Sequence, residues 1–209
     1  LADGKRRPVL VWLHGGGFTQ GNGIEQDSYD GENIARYGDI VFCSVNHRLG
    51  ALGFSDLAGA GGEKYRHSGN AGMLDIVAAL KWIQANIANF GGDPSNVTVM
   101  GQSGGGSKVC LLCAMPAAKG LFHKAVALSG NTVKANNADY AERLGNAILH
   151  EAGLDTSQVD SLQSVPWEQY LELANRARQR MAAEDPGSRS GFAPVADGID
   201  IPKGIFFEG

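Results

Sequence analysis

The chain has 209 residues, of which 43% are hydrophobic and 19% charged, a composition that excludes a disordered polypeptide. Eighteen basic against 22 acidic side chains leave a net charge of −4, which argues against a nucleic-acid partner. The longest uncharged apolar stretch, around Val109–Ala118, is far short of the ~20 residues of a membrane helix, so no membrane span is expected.

The predicted elements begin with the apolar run Val9–Leu13. Ile40–Val45, Asn96–Met100 (after an Asp93-Pro94 turn signal) and Ala125–Leu128 follow. Such near-continuous runs read as strands buried on both faces of a parallel sheet. Between them lie helical patterns at Gly31–Tyr37, Asn70–Asn89 and Gly104–Ala114. The long one carries Met73, Ile76, Val77, Leu80, Ile83 and Ile87 on one stripe. The order β-α-β-α-β-α-β predicts a doubly wound α/β fold with a mostly parallel sheet. From about Asn136 the pattern changes to two amphipathic helices, Ala138–Ala152 and Trp167–Ala183, and an irregular tail, Phe192–Gly209. Residues 1–135 are therefore assigned to an α/β core, and 136–209 to a helical, cap-like segment and tail of the same domain.

Glycine, at 30 residues, has about twice its usual share, and two of its clusters carry chemistry. Gly101-Gln102-Ser103-Gly104-Gly105 falls between a predicted strand and a predicted helix, the setting a G-x-S-x-G nucleophile turn requires. Three glycines at 104–106 would weaken a helix start by about 2–3 kcal/mol relative to alanines, so something must demand bare backbone there. His14-Gly15-Gly16-Gly17-Phe18 follows the first strand. Ester hydrolysis passes through an oxyanion that needs preorganised N–H donors, and glycine lets amides approach it. Ser103 is thus the candidate nucleophile, and the amides of Gly16, Gly17 and Gly104 the candidate substrate-binding donors. Phosphate-loop readings fail, because Gly101–Lys108 places its lysine one position late and Val109 supplies no hydroxyl. No cofactor is implied. Cys110 and Cys113 have C-x-x-C spacing, but no second pair closes a zinc site, so no metal is expected and both read as buried helical thiols. With Cys43 they are too few for a disulfide scaffold, and lean towards a reducing, cytoplasmic compartment.

Several blocks together resemble the type-B carboxylesterases, the cholinesterase-like family with the α/β-hydrolase fold. The carriers are Leu13–Phe18, Val45–Gly50, Gly69–Asp75, Phe90–Pro94, Gly101–Ser103 and Ser129-Gly130, with a weaker match near Phe192–Ile205. Departures are Gln102 where the family commonly has Glu, Gly104 for Ala and His47 for Tyr. Loss of the carboxylate at 102 weakens the case for cationic, choline-like substrates. The resemblance implies a carboxylic ester hydrolase acting on a small-molecule ester through an acyl-serine at Ser103. A non-catalytic, cholinesterase-like binding or adhesion module is the alternative, and amidase or thioesterase chemistry shares the same serine turn.

A serine hydroxyl needs a histidine base and an orienting acid, which in this fold follow the nucleophile. Of five histidines, His14 and His47 read as structural, His67 lies in a polar loop, and only His123 and His150 follow Ser103. Neither has the family's spacing, and Glu208 has no histidine after it, so no base or acid is assigned. The 209 residues are expected to be part of a longer esterase and inactive alone; the opening Leu1 also leaves room for a preceding segment. Residues 165–184 are candidates for part of a cap, Arg48 and Asp75 for a buried or half-buried ion pair, and Ser129 for a hydrogen-bond partner near the nucleophile.

Overall fold

The chain groups into two units in a computed structural model that describes residues 3–185 and 191–206. One unit comprises residues 1–47, 73–134 and 205–209, the other 48–72 and 135–204.

In the first unit, β1 (Arg7–Leu13), β2 (Val41–Val45), β3 (Gly92–Gln102) and β4 (Lys124–Leu128) form a parallel sheet in the order β2-β1-β3-β4. α1 (Glu32–Gly38) joins β1 to β2, and α5 (Gly104–Ala114) joins β3 to β4. The chain moves from β1 to a neighbour on one side, then returns to β3 on the other and continues outward to β4. With right-handed crossovers, this reversal opens a crevice at the carboxyl ends of β1 and β3, where sheets of this kind bind ligands. Leu13 of β1 pairs with Gly101 of β3, so the segments following these strands start side by side.

The core follows from side-chain pattern. Val9, Val11 and Leu13 of β1 and Val97 and Val99 of β3 are all buried. The whole stripe predicted for the long helix, Met73, Ile76, Val77, Leu80, Ile83 and Ile87, is buried as well. The helix ends earlier than expected: α4 spans Ala71–Asn86, and Ile87–Phe90 tightens into a 3₁₀ turn closed by left-handed Gly91.

Three expectations need correction here. Strands buried on both faces hold only near the middle of the sheet. β2 is mostly half-buried and β4 is exposed throughout, because these are the edge positions among the described residues. Asp93-Pro94 does not stand before the strand but within it; between Arg7 and Val9 of β1, β3 advances from Gly92 to Val97, so the turn-prone residues form a bulge. Cys110 is half-buried and Cys113 exposed, since the buried face of α5 is made by Gly104, Gly105, Lys108, Leu111 and Leu112.

The second unit is helical: α2 (Gly50–Phe54), α3 (Ala58–Gly61), α6 (Ala138–Glu151), a 3₁₀ segment (Thr156–Ser164) and α7 (Trp167–Glu184). The two long helices match the amphipathic patterns. Asn137 caps α6 by accepting the Tyr140 amide at 3.1 Å, and Leu144 and Ile148 of α6 and Leu173, Ala177 and Met181 of α7 are buried. The short α2 and α3 were not anticipated, as their glycine-rich sequences hide any helical stripe. Arg48 is exposed and Asp75 half-buried, so the burial expected of Arg48 is not found.

Asn70 holds the tail to this unit. Its Oδ1 accepts the Val195 amide at 2.8 Å and its Nδ2 donates to the Val195 carbonyl at 2.9 Å, all of it buried. Replacing Asn70 with alanine strands the Val195 amide, at roughly 1–3 kcal/mol for a buried group left unpaired, while the Val195 carbonyl keeps the Asp197 amide at 2.9 Å. The expected result is a loss of about 1–3 kcal/mol in chemical denaturation, with faster protease cleavage within residues 191–204.

Candidate active site

β3 leads straight into α5 through one residue, Ser103, which has φ 55° and ψ −119°. A non-glycine residue held there costs about 1–3 kcal/mol and persists only where its surroundings impose it. They do so here. The Ser103 amide donates to the Leu128 carbonyl at 2.8 Å, and its carbonyl accepts from the Ser107 amide at 3.0 Å. The residue itself is exposed rather than pointed into the core.

Glycines 104 to 106 have the reason that their sequence required. A Cβ at Gly104 would run into the backbone of Gly17, one at Gly105 into the Leu13 carbonyl, and one at Gly106 would come within 2.9 Å of the Leu128 carbonyl. The start of α5 therefore rests directly on strand ends and on the loop after β1. That loop, residues 14–18, turns through left-handed Gly16 (φ 81°) and Gly17 (φ 63°). The Gly16 carbonyl accepts from Gln20 at 3.2 Å, which closes the turn. A Cβ on Gly15 would lie 3.8 Å from that of Ser103, so loop and serine are neighbours. Among the described residues no backbone carbonyl accepts from the Gly16 or Gly17 amides. Gly104 is the first residue of α5, where N–H groups lack helical partners and the helix dipole favours negative charge. The structure thus brings all four predicted site residues together.

The charges around them are sparse. His14 is fully buried, its Nδ1 2.9 Å from the Gly15 carbonyl and its ring stacked on His47 at 5.1 Å. Burial, then the nearby Lys108 cation, pushes the His14 pKa down, so the ring is neutral at pH 7. Gln102 is exposed and uncharged beside the serine. The other histidines have partners of their own. His123 Nδ1 accepts the Val97 amide at 3.2 Å, and His150 Nδ1 lies 2.9 Å from Arg180 Nη1. In the second unit, His67 Nδ1 lies 2.8 Å from the buried Asp200 carboxylate. Glu208 is outside the described residues. Ser129, also exposed, has φ 52°, a second strained serine one residue after the carbonyl that holds Ser103.

Two features escaped sequence reasoning. The His67–Asp200 pair joins residues far apart in the chain and had no local signal. Lys108, considered only as a misplaced phosphate-loop lysine, is fully buried. Its signal was its position: one turn after Gly104 and one before Leu112, on the buried stripe of α5.

A parallel α/β sheet with a strained serine between strand and helix, facing a glycine loop, defines the α/β-hydrolase class. The Carboxylesterase family profile matches residues 2–206, and the chain belongs to that family. It is 41% identical over 199 residues to the para-nitrobenzyl esterase of Bacillus subtilis, covering 95% of this chain and 39% of that protein. Against carboxylesterase 1E of Rattus norvegicus it is 39% identical over 211 residues, covering 97% and 36%. Among solved structures, a thermophilic pNB esterase superimposes with a TM-score of 0.86 at 41% identity, over 96% of this chain and 40% of that one. A carboxylesterase of Geobacillus stearothermophilus does so with a TM-score of 0.80 at 40% identity, over 94% and 39%. The chain therefore spans about two-fifths of the length of these relatives.

Proposed function

We propose that the full-length gene product hydrolyses small carboxylic esters through an acyl-serine intermediate at Ser103. The hydroxyl attacks the ester carbonyl, the amides of Gly16, Gly17 and Gly104 receive the oxyanion, the alcohol leaves, and water then releases the acid. The observation that carries this reading is the strained, exposed Ser103 set against a loop whose Gly16 and Gly17 amides have no backbone acceptor among the described residues. Each such donor is typically worth about 2.7–4 kcal/mol to the barrier. Uncharged esters fit best, because Gln102 places no carboxylate beside the serine to attract a cationic alcohol.

The binding-module alternative keeps the fold and dispenses with the hydroxyl chemistry. A fluorophosphonate probe separates the two. Stoichiometric labelling at Ser103 of the full-length product, blocked by prior incubation with substrate, is the expected outcome. Absence of labelling in a folded protein would favour the binder.

A further inference from the structure

Lys108 is a buried charge that the proposed acyl transfer does not use. It has no exposed surface, and its Nζ donates to the His14 carbonyl at 3.0 Å. The same ammonium lies 5.8 Å from the centroid of the Phe18 ring, within cation–π range. His14 and Phe18 are the residues on either side of Gly15-Gly16-Gly17. Burying an ammonium against a neutral carbonyl is the costly way to do so, and a glycine run has little intrinsic preference for one shape.

We propose that Lys108 is a positioning residue, an internal clamp whose ammonium grips both ends of the glycine loop and so keeps the Gly16 and Gly17 amides in one orientation. As a statement about catalysis it rests on the ester-hydrolase reading. The charge also makes the clamp pH-sensitive. Burial lowers the Lys108 pKa to about 8, opposed by the Glu25 carboxylate. The neighbouring groups with resolved shifts move away from that range. His14 is already neutral, and the thiols of Cys110 and Cys113 on the same helix are pushed up by burial. α5 packs on β1, β3 and β4, whose charged residues Arg7, Asp93 and Lys124 stand at or near the amino ends of those parallel strands, away from the loop. The clamp therefore loosens as pH rises through about 8.

Lys108→Met in the full-length product keeps the side-chain bulk and removes the donor and the charge. Its kcat for p-nitrophenyl acetate should fall about 10–100-fold with KM within threefold, less than the loss of a whole oxyanion donor. Wild-type kcat should decline on an alkaline limb with an apparent pKa near 8, and that limb should be absent in the variant. Lys108→Gln, which retains a neutral donor, should recover part of the rate without the limb. A folded Lys108→Met protein with kcat within threefold of wild type, or with the limb intact, would overturn the proposal. If Lys108→Met does not fold, the wild type alone decides. The ¹³C carbonyl shift of His14 should titrate with a midpoint near pH 8, and a flat shift across that range refutes the clamp. This readout needs no turnover. A protein inert to ester and probe would sink the hydrolase reading and leave the clamp to be judged on the His14 shift.

Discussion

Replacing Ser103 with alanine should lower ester turnover by the full-length product about 10⁴–10⁶-fold while leaving the fold intact. Under the proposed mechanism the magnitude follows from removing the atom that would form the covalent bond; what survives is the background supplied by oxyanion donors and binding alone. The fold should survive because the strain at 103 belongs to the backbone, fixed by the Leu128 carbonyl and the start of α5, and alanine keeps the same Cβ. Ser103→Gly is the informative companion. It is equally dead, but glycine tolerates φ 55° without penalty, so the thermal midpoint should rise by the equivalent of about 1–2 kcal/mol. Initial rates with p-nitrophenyl acetate, corrected for buffer hydrolysis, and thermal unfolding of the three proteins test both. Retention of more than a tenth of wild-type kcat in Ser103→Ala would remove Ser103 from the chemistry.

The second large effect concerns folding. Gly105→Ala should destabilise the protein by about 3 kcal/mol or more, at the upper end of what overpacking usually costs. The added Cβ would overlap the Leu13 carbonyl oxygen and come within 3.0 Å of that of His14. Neither can retreat. Leu13 is paired to Val45 and Gly101 on its two sides, and the His14 carbonyl is the acceptor of Lys108. α5 would have to lift off β1, carrying Ser103 with it. Gly38→Ala makes the matched control. Its Cβ would meet Ile40 at an ordinary 3.6 Å at the end of α1, so the change should be neutral or stabilising by up to about 1 kcal/mol. Chemical denaturation of both variants gives the comparison, and equal midpoints would show that α5 has room that the backbone distances deny it.

Much of this architecture is legible in the amino-acid sequence because it is written in local pattern. The stripe from Met73 to Ile87 repeats at helical spacing, and all six of its residues are buried. Gly104–Ala114 is a helix from its first predicted residue to its last, bounded by the serine turn before it and Pro116 after it. The motifs around Ser103 and Gly16-Gly17 are likewise local, since a tight turn and a bare-backbone loop are each specified by a few consecutive residues. The edge strands are different. Ala125–Leu128 reads as apolar whether or not anything covers it, and its edge position among the described residues leaves it exposed. The same limit explains the cysteines, as C-x-x-C spacing puts Cys110 and Cys113 on one face of α5 without saying which face meets the sheet.

By itself, then, the sequence determined where the four strands and the long helices lie, where the chain turns sharply, and where the residues of the proposed site stand, because each depends on neighbours along the chain. Only the tertiary structure decided that β1 and β3 lie side by side, that glycines 104 and 105 exist to let α5 touch the strand ends, and that Lys108 reaches across to His14. Those facts depend on close approach between residues about ninety positions apart, where a single methyl group is the difference between contact and collision and no local periodicity records it.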